Sequence, residues 1–175
     1  MKQEIPGRIT ALLEKLRELE LDAALIYDRE NLIYFAGVTD LEGGVLCIPA
    51  EGVAELFCLW MEAEHMRQAT GLRVTGYPFP AQTQSSMAAK WLHGLGLKRP
   101  RVGFTRYFIS LKDYQCLQEA VPEMVVGDIA ATCYQLRSIK CPEEIRRIRA
   151  ASKALEAGMK AAVSAVRAGV AECDV

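Results

Sequence analysis

The chain has 175 residues, 51% hydrophobic and 25% charged, with a formal net charge of −1. That length suits one domain plus the start of another, with a core that needs neither disulfide nor metal to close it. Near-neutral charge excludes the basic field of a nucleic-acid binder or a membrane-surface protein, and no apolar run reaches the roughly 18 residues of a membrane span.

At the N-terminus, Met1–Arg8 lacks the apolar run of a signal peptide. Ile5, Ile9, Leu12, Leu13, Leu16 and Leu19 then recur at helical spacing with charged residues between them, which predicts an amphipathic helix. Asp22–Tyr27 is an apolar run of strand length. Asp28 is placed to cap a short helix through Asn31, Tyr34 and Phe35, with Gly37 as its stop. Gly43–Pro49 and Val53–Trp60 flank the turn Ala50-Glu51-Gly52 and predict an antiparallel hairpin.

Beyond the hairpin, helices and strands alternate. Helices are expected over Glu62–Thr70, Ser85–Leu95 and Leu111–Ala120, and strands over Arg73–Tyr77, Arg101–Phe104 and Met124–Val126. This pattern predicts a three-layer α/β/α domain with a mixed sheet, parallel where the crossovers are helical. Pro78, Pro80 and Gln82–Ser86 mark its one long loop.

The last stretch is different. Asp128 can cap a helix toward Arg137, and Cys141-Pro142-Glu143-Glu144 restarts one with proline in its first turn. Ile145, Ile148, Leu155, Met159, Ala162 and Val166 form a stripe that predicts a long C-terminal helix ending at Gly169, about 40 Å in all. Such a stripe at the end of a compact domain calls for a partner elsewhere. The expected division is residues 1–136 as the α/β domain and 137–175 as the linker and first helix of a second one.

The six cysteines, at positions 47, 58, 116, 133, 141 and 173, show no C-x-x-C spacing and read as reduced thiols of a cytoplasmic protein. Residues 1–70 carry 6 basic and 13 acidic side chains and residues 137–175 carry 8 and 5. This asymmetry reads as solvated helix faces or, alternatively, as complementary faces of two subunits.

Chemistry is sparse. There is no phosphate-binding glycine loop, no His-Glu-x-x-His and no Gly-x-Ser-x-Gly elbow. Glu62-x-x-His65 puts a carboxylate and an imidazole on one helix face, but a single copy reads as a surface pair rather than a metal site. Ser86 and His93 lie two turns apart on one predicted helix and cannot form a nucleophile–base pair. The sequence offers an enzyme-like fold without a catalytic constellation.

Three stretches in order resemble the N-terminal domain of the creatinase/prolidase/aminopeptidase P (Xaa-Pro peptidase) family. They are Arg8-Ile9-x-x-Leu12-Leu13 leading to Leu21–Ile26; Asn31-Leu32-Ile33-Tyr34-Phe35-Ala36-Gly37 continuing through Gly44–Ile48; and Leu136–Arg149, which is similar to the segment opening the family's catalytic domain. Arg167-Ala168-Gly169-Val170-Ala171-Glu172 resembles the turn after that helix, with Ala168 in place of the usual proline.

The resemblance implies a creatinase N-terminal-type fold with a ribonuclease H-like motif, and a chain without catalytic residues of its own. It also implies a parent metallohydrolase that cleaves proline-containing peptides, its two divalent metal ions held in a C-terminal catalytic domain. The implied role of this piece is dimer assembly and capping of the active site, its partners being its own catalytic domain and a second copy. Residues 38–42, with Asp40 and Leu41, and Trp60 and Tyr77 are then placed near substrate in a full-length dimer, although Trp60 also suits a core or interface position. Alternatives are a stand-alone non-catalytic binding or scaffolding module and the N-terminal domain of a creatinase-like amidinohydrolase.

Overall fold

The computed structural model describes residues 5–39, 41–105 and 109–174. The chain divides into two compact units, Met1–Arg137 and Ser138–Val175.

In the first unit, helix α1 (Ile5–Glu18) buries Ile5, Arg8, Leu12 and Leu16 on one side. Strand β1 (Ala23–Ile26) is buried along its whole length, as expected of a central strand covered on both faces. Asp28 caps α2 (Arg29–Ala36) by accepting the Asn31 N–H. The helix stops at Gly37, whose φ of 73° is left-handed and whose N–H bonds the Ile33 carbonyl. The hairpin is β2 (Gly44–Pro49) and β3 (Glu55–Leu59), followed by α3 (Ala63–Thr70), β4 (Arg73–Tyr77), α4 (Gln84–Gly94), β5 (Arg101–Phe104), α5 (Leu111–Ala120), β6 (Val125–Asp128) and α6 (Ala130–Ser138).

The strands form one sheet in the order β4-β3-β2-β1-β5-β6. β1 pairs antiparallel with β2, and β2 with β3, whereas β3–β4, β1–β5 and β5–β6 are parallel. Strand β2 therefore runs against the other five, and five carboxyl ends share one edge with the start of β2. One core layer packs Leu12, Leu16, Leu32, Phe35, Met66 and Cys133 against that sheet. The other packs Ala88, Ala89, Leu92 and Leu117 of α4 and α5 against its opposite face. This is the three-layer mixed-sheet domain that the alternation of elements predicts.

Several element ends differ from expectation, two of them at residues singled out above. β6 starts one residue later and runs to Asp128, so this residue closes a strand, while its Oδ1 still accepts the Ala130 N–H at the start of α6. In the second unit, α7 (Pro142–Ala165) ends before Gly169, because Val166 turns extended and Arg167–Val170 closes a separate turn. Its start is as expected, with Cys141 as cap and the Glu144 carboxylate accepting the Cys141 N–H at 2.9 Å. Arg146 and Arg147 both bond Glu143 and hold its carboxyl down at about 2. None of α7 is buried, and Ile148, Leu155, Met159 and Val163 are exposed along the helix.

Candidate functional site

The shared edge of the sheet gathers three of the residues singled out from sequence. Gly44 opens β2 where a Cβ would lie 2.6 Å from the Phe57 carbonyl oxygen and 2.8 Å from Leu41 Cδ2. Only a residue without a side chain lets Leu41 fold down onto the hairpin there. One residue earlier, the space beside Gly43 is met by the Tyr77 hydroxyl at 3.6 Å. Trp60, just past β3, donates its backbone N–H to the Tyr77 carbonyl at 3.0 Å. Leu41, Trp60 and Tyr77 thus form one continuous edge, while Asp40 lies outside the described residues.

Their environments differ. Trp60 is 63% exposed, and Met61 next to it in sequence and Phe79, two residues past Tyr77, are exposed as well. Tyr77 is 3% exposed. Burial, with smaller contributions from Cys58, Glu62 and Asp113, pushes its phenol up to about 12, so it stays a neutral hydroxyl. The edge therefore offers an apolar aromatic surface rather than an acid–base pair.

Glu62 belongs to this edge, which the sequence reading missed. Its Oε1 accepts the Glu42 N–H at 3.2 Å, and its Oε2 is buried without a partner. The reading as a surface pair with His65 gave weight to the helical spacing. The position just before a helix was the signal for a carboxylate turned back toward the preceding loop. A cleft of about 290 Å³ opens next to it, lined by Tyr27, Leu32, Val38, Leu41, Gly43 and Gln84.

Ser85 and Asp113 tie the helices below this cleft. The fully buried Ser85 hydroxyl donates to Asp113 Oδ1 at 2.6 Å and lies 3.3 Å from the Tyr27 hydroxyl. Gln84 and Ser110 donate to Asp113 Oδ2. Burial, partly offset by the Ser85 hydrogen bond, raises the Tyr27 phenol well above its ordinary value. Ser86 instead closes a capping box with Thr83, and His93 Nε2 sits 2.8 Å from the Ala120 carbonyl oxygen, so each has a structural partner. Among the described residues, no group of three or more His, Cys, Asp or Glu could hold a metal ion, and no helix is long and apolar enough to cross a membrane.

Residues 8–139 match the model of the creatinase/prolidase N-terminal domain, and the chain belongs to that family. It is similar to uncharacterized peptidases of Staphylococcus aureus, 27% identical over 173 residues covering 96% of this chain and 47% of the relative. One from Staphylococcus saprophyticus is 27% identical over 172 residues, again 96% of this chain and 47% of the relative. The chain thus spans about half the length of the curated relatives it matches.

Among solved structures, the Xaa-Pro dipeptidase of Bacillus anthracis superposes with a TM-score of 0.82 at 22% identity, over 97% of this chain and 46% of that one. The prolidase of Pyrococcus horikoshii gives 0.79 at 20% identity, over 95% and 45%. The N-terminal domain of the cytoplasmic peptidase PepQ from Mycobacterium tuberculosis gives 0.64 at 20% identity, over 74% of this chain and 98% of that one. At these identities the structural likeness establishes the fold.

Proposed function

We propose that this chain is the assembly and active-site-capping part of a metal-dependent Xaa-Pro peptidase of the cytoplasm. The observation that carries the reading is the edge formed by Leu41, Trp60 and Tyr77, with Trp60 63% exposed beside a buried, neutral Tyr77. An exposed indole on a rigid strand end is the kind of surface that packs over another chain or over the apolar ring of a proline. Catalysis, with two divalent metal ions, is assigned to a C-terminal half, for which the relatives, about twice as long as this chain, have room. The apolar stripe of α7 (Ile148, Leu155, Met159) is the surface that this half would cover. Asp40, next to Leu41, is proposed as a contact to the amino group of the peptide.

The test uses the whole gene product. It should run as a dimer, cleave a Xaa-Pro dipeptide and lose activity on chelation. Trp60→Ala should raise KM by about tenfold at nearly unchanged kcat, with the dimer mass preserved. A gene product without any C-terminal domain, or a Trp60→Ala enzyme with unaltered KM, would overturn the proposal.

A further inference from the structure

Helix α6 ends where the chain passes from the first compact unit to the second. The units divide after Arg137, and α6 closes at Ser138. A helix leaves its final carbonyls without an intrahelical N–H, and such an end frays unless a group from outside takes them up. α6 has nine residues, Cys133 is its one buried residue, and Leu136 packs only in part against the core. Length and packing therefore secure its last turn weakly.

Tyr34 supplies the outside group. Its hydroxyl, carried on α2 and 102 positions away in sequence, donates to the Leu136 carbonyl at 2.9 Å. The tyrosine is itself held in place. The Arg8 guanidinium lies 4.4 Å from the ring centroid, Arg8 Nη1 donates to the Tyr34 carbonyl at 2.8 Å, and the Phe35 ring meets it edge-on at 4.9 Å. Arg8 is buried in α1, so the arm that reaches Leu136 is rooted in the interior. A phenylalanine could fill the same space but has no donor for the carbonyl.

The second unit begins with a fixture of its own. At the start of α7 the Cys141 N–H donates to the Glu144 carboxylate, and the Glu144 N–H donates back to the Cys141 sulfur at 3.5 Å. Residues 137–140 lie between these two fixed points, with Ile139 82% exposed.

We propose that residues 137–140 form a hinge between the two units and that Tyr34 is the positioning residue that fixes its near end. Held at Leu136, α6 keeps its last turn while the joint bends, and Cys133 keeps its place in the core. Without that bond, unwinding spreads back into α6. The inference rests on no catalytic reading, since it needs neither substrate nor metal.

The ¹⁵N-labelled 175-residue chain tests both parts. Residual dipolar couplings should require alignment tensors of different magnitude for the sheet and for α7. One tensor shared by both would overturn the hinge. Amide hydrogen exchange should show protection through Arg137 that falls away at Ile139. Tyr34→Phe should speed exchange at Arg137 and Ser138 by about fivefold, the factor that one hydrogen bond represents in a local opening. Ser85→Ala removes a buried hydrogen bond on the opposite face of the sheet and should leave these two amides unchanged. Unchanged exchange in Tyr34→Phe, or an equal rise in Ser85→Ala, would overturn the role of Tyr34. If Tyr34→Phe fails to fold, the unaltered chain decides, and protection already lost at Cys133 would overturn it. Neither readout involves turnover, so failure here leaves the peptidase proposal standing, and the converse also holds.

Discussion

Replacing Asp28 by alanine removes two interactions of known geometry at once. Its Oδ2 caps α2 through the Asn31 N–H, and its Oδ1 receives the buried Thr105 hydroxyl from the end of β5. Loss of the cap costs about 1 kcal/mol. A Thr105 hydroxyl left buried without an acceptor costs about 1–3 kcal/mol more. Asp28→Ala should therefore destabilise the first unit by about 2–4 kcal/mol, roughly 4–16 °C in Tm for a chain of this size. Asp28→Asn keeps an oxygen for the cap, and the Thr105 hydroxyl can rotate to accept from the new amide, so its cost should be less than half as large. Urea unfolding followed by tryptophan fluorescence reads this unit selectively, because both tryptophans, Trp60 and Trp91, lie within it. An Asp28→Ala chain within about 0.5 kcal/mol of the parent, or an Asp28→Asn chain as unstable as Asp28→Ala, would refute the reasoning.

Gly44→Ala should cost about 1–3 kcal/mol, since its Cβ meets a backbone oxygen at 2.6 Å; a shifted Leu41 methyl resonance would locate the strain, and an unchanged urea midpoint would dismiss it. Ser85→Ala should cost about 1–2 kcal/mol by leaving the α4–α5 junction without its hydroxyl bridge, and a double-mutant cycle with Asp113→Asn should show coupling between the two. Burial pushes the Cys133 thiol up to about 12 and the Cys58 thiol to about 11, and it raises that of Cys47 well above its ordinary 9.0. At about pH 8 iodoacetamide should therefore modify the exposed Cys173 first and these three last, as mapped by mass spectrometry. The same shifts set an alkaline limit. From pH 9 upward the unfolded thiols ionise while the folded ones stay protonated, so stability should fall progressively until pH passes about 12. A flat urea midpoint between pH 9 and 11 would contradict this.

Much of the fold was legible because its signals are local. The Asp28 cap, the Gly37 stop, the Ala50–Gly52 turn and the Pro142 start each act within four residues of where they are read. Sheet order is another matter. The hairpin specifies β2 beside β3, but nothing near Ala23–Ile26 says that its second neighbour is Arg101–Phe104. β6 was placed one residue early because Met124 is as apolar as the two valines that follow, and only pairing with β5 sets the register. The candidate edge was found in part for the same reason. Leu41, Trp60 and Tyr77 came from resemblance to a family, whereas the buried oxygen of Glu62 and the bond from Tyr34 to Leu136 depend on contacts between distant segments.

The pairing of β1 with β5 also constrains how the chain can be made. Leu25 lies opposite Phe104, so the central strand waits for 79 more residues, 104 minus 25, before its second edge is filled. At ordinary translation rates of about 5–20 residues per second, that interval is roughly 4–16 s. During it, the four strands from β1 to β4 can already pair, leaving Ala23–Ile26 as an apolar margin open to any other extended chain. The Tyr34 hydroxyl, which donates to the Leu136 carbonyl at 2.9 Å, closes later still. A ribosome stalled between codons 78 and 100 would thus hold a half-sheet with an apolar strand outermost, and chaperone dependence should concentrate in that window.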